Sequence, residues 1–165
     1  MCAAFAAASI VALGARAGGE NVAFPKDFGT LYATVDRADN KQYRELYASP
    51  AALEAMQKGQ SIPSGTVLTL IQYAAKLDEK GEPIKDANGR FVKDRILAYN
   101  VMEKRTGWGV EYPASKRNGE WEYQAFLADK TVNIKANLDN CFKCHLPMDK
   151  QDYVISYDRM KNPVR

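Results

Sequence analysis

Cys141-Phe142-Lys143-Cys144-His145 is the stretch of this chain whose residue types and spacing carry chemistry of their own. Two thiols three residues apart, followed at once by an imidazole, form the C-x-x-C-H pattern of covalent c-type haem attachment. Each thiol can add to one vinyl group of the same porphyrin, and the adjacent imidazole then reaches the iron. Cys141 and Cys144 are therefore the expected thioether positions, and His145 is the expected proximal iron ligand of one haem c. His145 is the only histidine in 165 residues, so a bis-histidine haem and a second such site are excluded.

Other chemistries of paired cysteines fit less well. A closed zinc site needs four ligands, usually as two pairs, and only Cys2 remains to add to Cys141 and Cys144. A thioredoxin-like dithiol sits near a βαβ pattern, which Thr131–Asn137, just before the motif, does not show.

The N-terminus suits a haem attached outside the cytoplasm. Ala3 to Ala15 is an almost unbroken run of small and apolar residues ending in Ala15-Arg16-Ala17, an A-x-A cleavage pattern, although no positive segment precedes it. The run is shorter than the ~20 apolar residues of a membrane span. We expect residues 1–17 to be a cleaved signal peptide and 18–165 a single haem c domain, exported to a bacterial periplasm and free of the membrane after cleavage. Cleavage removes Cys2 and leaves two cysteines for the haem and none for a disulfide.

About 148 residues then remain, enough for one domain with a real core. The formal net charge of +3 becomes +2 without Arg16, and charges of both signs are interspersed, which is no nucleic-acid footprint. A basic rim can still dock an acidic, soluble redox partner.

The elements that must position the motif read mostly as strands. Pro50–Lys58 is a helix, with Ser49 as N-cap, Pro50 at the first position, Gly59 as stop, and Leu53 and Met56 facing the core. Thr66–Tyr73 is rich in β-branched and aromatic residues and reads as a strand. Leu77–Arg90 is a loop or long hairpin connection. Phe91–Glu103 is a second strand, with Ile96, Ala98, Asn100 and Met102 on one face and Leu97, Tyr99 and Val101 on the other. Trp108–Tyr112 and Glu120–Leu127 read as two more, separated by a turn at Asn118-Gly119. Asn137–Cys144 should be a helical turn presenting the haem motif, and Asp152–Tyr157 a last strand or helix. Sequential strands with modest connections imply an α+β fold built on an antiparallel sheet, not a four-helix bundle.

In this order, Tyr47-Ala48-Ser49-Pro50, Ile62-Pro63-Ser64-Gly65-Thr66-Val67, the Trp121 strand, and C-x-x-C-H followed by Asp152-Tyr153-Val154-Ile155-Ser156 resemble the cytochrome P-460 family. The likeness spans nearly the whole mature chain and is closest to the sheet-rich cytochrome c′-β branch. It implies an antiparallel sheet domain, commonly a homodimer, with histidine on the proximal side of one haem and no protein ligand on the distal side. In the true P-460 proteins a lysine on the strand after Gly-Thr-Val bonds to the porphyrin edge, and those proteins oxidise hydroxylamine. Here that position is Leu70, with Lys76 the next lysine along the segment. The distal carboxylate of the enzymes would fall near Ala98 or Tyr99, and the nearest acids are Asp94 and Glu103.

These departures imply a distal pocket lined by apolar residues, Leu70 first, then Ile62 and Ala98, although each also suits ordinary core packing. Such a wall offers no hydrogen-bond donor to a polarised ligand. The leading expectation is a mono-haem cytochrome with five-coordinate iron that senses, carries or detoxifies a small gas such as nitric oxide. One alternative is a hydroxylamine-oxidising oxidoreductase that passes electrons to a cytochrome. The other is a simple electron-transfer cytochrome with methionine opposite His145, for which Met102 is the serious candidate and Met56 and Met148 are not.

Overall fold

Five strands pair in chain order into one antiparallel sheet, described here from a computed structural model covering residues 18–164. The apolar run, the Ala15-Arg16-Ala17 pattern and Cys2 lie outside the described residues. The strands are β1 (Thr30–Arg37), β2 (Gln42–Ala48), β3 (Val67–Ala75), β4 (Lys93–Lys104) and β5 (Trp121–Leu127). The helices are α1 (Pro50–Gln57), α2 (Asp139–His145) and α3 (Tyr157–Lys161). The expected α+β architecture on an antiparallel sheet is what the chain adopts.

Three of the four expected strands are present with small changes of boundary. The fourth, Trp108–Tyr112, is a run of turns. Gly107 and Gly109 bracket Trp108 with φ of 86° and 77°, a left-handed backbone that glycine adopts without penalty and that no strand contains. Two strands went unread. In β2 the alternation places Arg44 on one face and Glu45 on the other, so neither face looks apolar in sequence. The β1–β2 hairpin is closed by Ala38–Asn40, with Lys41 left-handed at φ 51°. Asp152–Tyr157 forms no strand; it turns and leads into α3.

Each sheet face builds its own apolar layer. On one face Leu68, Met102, Trp121 and Tyr123 pack with Ala52, Leu53 and Met56 of α1, Phe142 of α2 and Met160 of α3. On the other, Ile71, Tyr99, Val101 and Phe126 pack beneath Val22, Phe24 and Phe28 of the N-terminal segment. Cross-strand rows carry the first face: Ala48, Leu68, Met102 and Tyr123 in one, Leu46, Leu70, Asn100 and Ala125 in the next. Ile96 departs from the expected face. The β3–β4 register jumps from Gln72–Ala98 to Tyr73–Ile96, and the extra residue, Leu97, turns Ile96 over to join Tyr99 and Val101.

The β3–β4 connection is a long hairpin arm, as one of its two sequence readings had it, with bridges at Leu77–Pro83 and Lys85–Phe91. α1 opens on Pro50, with the Ser49 carbonyl accepting from Ala52 N at 3.0 Å; the Ser49 side chain makes no cap bond. Among the described residues no helix is long and apolar enough to cross a membrane.

Candidate functional site

α2 is a short helix whose charges suit its ends, with Asp139 in the first turn and Lys143 in the last. Cys141, Cys144 and His145 stand three and four residues apart, the spacing that puts side chains on one side of a helix. Phe142 anchors the helix to the sheet. Its ring meets Tyr112 and Tyr123 edge-on at centroid distances of 5.3 and 4.8 Å. Asn118, fully buried, donates from Nδ2 to the Phe142 carbonyl at 3.0 Å and to the Tyr123 hydroxyl at 2.9 Å. The Asn118-Gly119 turn thus holds the helix that carries the motif.

His145 is oriented by a carbonyl. Its Nδ1 lies 2.7 Å from the Tyr153 oxygen, and its ring centroid is 5.0 Å from that of Tyr123. Burial lowers the imidazole pKa, and the Tyr153 bond only partly opposes this. A neutral ring that donates from Nδ1 leaves Nε2 free to bind a metal. Aiming that carbonyl requires an unusual backbone: Asp152 and Tyr153 both have positive φ, 50° and 59°. Side chains other than glycine pay roughly 1–2 kcal/mol for each such residue. Two contacts hold the segment in place. Lys104 Nζ binds Asp152 Oδ2 at 2.7 Å and Trp121 Nε1 reaches Asp152 Oδ1 at 3.4 Å. Gly119 makes room, since a Cβ there would stand 3.0 Å from the Tyr153 ring.

Cys141, Cys144 and His145 share one cavity of about 470 Å³, within the ~300–1,000 Å³ of cofactor sites. Its floor is the sheet face around Leu46, Leu68, Leu70 and Met102; α2 forms one wall, and Val154, Ile155 and Ser156 form another. Arg37, Arg44 and Arg159 line it as well. Arg37 pairs with Asp39 at 2.6 Å. Arg44 makes no ion pair among the described residues; its guanidinium donates to Gln42 Oε1 at 2.9 and 3.2 Å. Burial and then repulsion from Arg37 lower its pKa, so an anion in the cavity would relieve it. An apolar slot, two thiols, an imidazole and an anion-seeking arginine suit a porphyrin with its propionates. Burial, and then the neighbouring Cys144, raise the Cys141 thiol pKa.

The expected distal residues separate in space. Leu70 lines the cavity. Ile62, 3% exposed, is packed in the core cluster and does not line it. Ala98 is also outside the lining, paired with Leu127 and Gln72 one row farther along the sheet. Asn100, Arg44 and Gln124, unread in the sequence, do line it. Asn100 is paired directly with Leu70, so the wall expected to lack a donor has an amide beside its leucine. The alternation of β4 was signal enough to place Asn100 on that face; Arg44 required β2. Among the described residues no carboxylate lines the cavity. Glu103 lies with Arg105 at 2.6 Å, Asp94 is exposed, and Lys76 falls beyond β3 and is exposed.

Comparison with curated proteins gives no match. The model of the family described as Cytochrome P460 matches residues 25–156, from the N-terminal segment through β1 to β5, the C-x-x-C-H helix and the turn that holds His145. A match over most of the chain, carrying all five strands and the helix with the C-x-x-C-H motif, shows that this protein belongs to the cytochrome P460 family of haem proteins.

Proposed function

We propose that this chain is an exported mono-haem c cytochrome of the c′-β kind, with Cys141 and Cys144 as thioether positions and His145 as the proximal ligand, and that it binds a small gas such as nitric oxide. Haem held there by Cys141, Cys144 and His145 would supply an iron able to take a small gas as its further ligand. The observation that carries this reading is that, among the described residues, the cavity lining holds no second ligating side chain suitably disposed.

Met102, Tyr32 and Tyr123 are the lining residues to consider as that second ligand. Met102 is paired with Tyr123, whose ring packs on His145, and it is buried in the core cluster with Tyr123 and Phe142. The Tyr32 hydroxyl bonds Ser156 Oγ at 2.7 Å, and burial pushes its pKa up to about 12. Burial likewise raises the Tyr123 hydroxyl, which accepts from Asn118. Neither phenol is disposed to ionise and bind a metal. The chain's own part is then to orient His145 through Tyr153, to exclude water with Leu46, Leu68 and Leu70, and to balance propionate charge with Arg44.

The hydroxylamine-oxidising alternative needs a base within hydrogen-bond reach, and among the described residues neither a carboxylate nor a lysine lines the cavity. The purified holoprotein should retain its haem through acid–organic extraction. Its ferrous form should give a high-spin five-coordinate spectrum that changes on adding nitric oxide and is the same in Met102→Ala. A low-spin six-coordinate ferrous spectrum without added ligand would sink the proposal. Turnover of hydroxylamine with an artificial acceptor would favour the enzyme reading.

A further inference from the structure

We propose that cleavage after Ala17 gives Gly18 an α-ammonium group that stays inside the fold and pairs with the buried carboxylate of Glu122. Hydrolysis of the Ala17–Gly18 bond by a leader peptidase consumes one water and leaves a carboxylate on Ala17 and the ammonium on Gly18. This rests on the exported-protein reading above and goes beyond it, by assigning the new terminus a place in the structure.

Glu122 is a buried carboxyl group with no cationic partner among the described residues. It lies on β5 with 0% exposure, and its Oε1 has no hydrogen-bond partner among the described residues. Its other oxygen accepts from the Tyr112 hydroxyl at 3.1 Å. The charged groups that act on it, Glu111 and Glu20, are both acidic. Burial first, and then these two charges, push the carboxyl up to about 7 against the Tyr112 bond, the state expected while no cation faces it. A carboxylate buried without a partner is among the costliest groups a fold can hold.

Gly18 is the nearest source of the missing charge. It is buried, and its backbone nitrogen donates to the same Tyr112 hydroxyl that bonds Glu122. A Cβ on Gly18 would stand 3.2 Å from Glu122 Oε1 and 2.9 Å from Asn21 Nδ2. A residue with a side chain would therefore crowd the orphan oxygen, and glycine lets the chain approach it. Gly19 seats the segment on β5: its carbonyl accepts from Gln124 Nε2 at 2.8 Å, and a Cβ there would meet Leu138 at 2.6 Å. Two consecutive buried glycines beside an unpaired glutamate form a socket for a chain end, and Ala15-Arg16-Ala17 places the cleavage at that point.

The test uses the full chain exported by a host that attaches haem. N-terminal sequencing of the holoprotein should begin Gly-Gly-Glu-Asn, and any other start overturns the proposal. A second holoprotein, processed to retain Ala17, carries its ammonium one residue outside the socket. With Glu122 in place, the retained residue should raise the unfolding equilibrium constant by about tenfold or more. In the Glu122→Gln background it should change little. An equal loss in both backgrounds overturns the pairing. The absorption spectra of the same preparations report on the haem separately, so failure of this proposal and failure of the haem reading give different results.

Discussion

At the scale of single residues, His145 depends on a backbone oxygen, and that oxygen depends on Asp152. The left-handed Asp152–Tyr153 pair would relax toward ordinary backbone if nothing held it. Lys104 and Trp121 hold it through the two carboxylate oxygens of Asp152. Asp152→Ala should therefore destabilise the holoprotein by about 1–3 kcal/mol in denaturant unfolding, the cost of leaving a part-buried charged partner unpaired. It should also shift the iron–histidine vibration of the ferrous form, because the Nδ1 bond sets the basicity of the ring. An unchanged vibration beside a loss of stability would assign Asp152 to folding alone. The thiols and the imidazole were legible from sequence because they lie within five consecutive residues. Tyr153 was not, since its role is played by a carbonyl that every residue possesses.

At the scale of elements, β2 organises both faces of the sheet. Its Arg44 and Leu46 line the cavity, and on the reverse side Glu45 is buried. Glu45 accepts from Tyr47 at 3.1 Å, Tyr73 at 2.9 Å and Lys93 at 2.6 Å. Burial alone would raise its carboxyl, but Lys93, Tyr73 and Tyr47 together hold it below the ordinary 4.5. A carboxyl lowered by folding stabilises the protein above its unfolded pKa, and that contribution is lost as pH falls through the folded value. Glu45→Gln should thus cost about 1–3 kcal/mol at neutral pH. The gap to the parent should close as pH drops below 4.5, read by urea unfolding across that range. A gap that persists in acid would mean that shape, not charge, holds the cluster. β5 and most of β3 and β4 were readable because β-branched and aromatic residues repeat along them. β2 was not, because a strand with an arginine on one face and a glutamate on the other has no apolar period to detect, and β1 was missed although Leu31, Tyr32 and Val35 lie along it.

At the scale of the whole molecule, the sheet is a partition. One face holds the cavity and the helices; the other is closed by the segment before β1. Phe24 is the keystone of that closure, with edge-on contacts to Phe28, Tyr99 and Phe126 at centroid distances of 5.8, 5.0 and 5.2 Å. Phe24→Ala should destabilise the protein by about 3 kcal/mol, the low end for a core phenylalanine because Phe24 is half-buried. The haem spectrum should be retained, since the sheet stands between Phe24 and the cavity. A changed spectrum would show that the two faces are coupled.

The sequence alone determined the attachment motif, the uniqueness of His145, the family resemblance and the antiparallel sheet, because each is written in neighbouring residues or in a short period along the chain. Only the tertiary structure decided what shares the cavity with that motif. Leu70 lines it while Ile62 and Ala98 do not, and Asn100 and Arg44 join it from strands whose register is set by pairing. The Leu97 bulge and the strained turn behind His145 belong to the same class. Each depends on which strands meet and where an extra residue is inserted, and those are properties of packing between segments far apart in the chain.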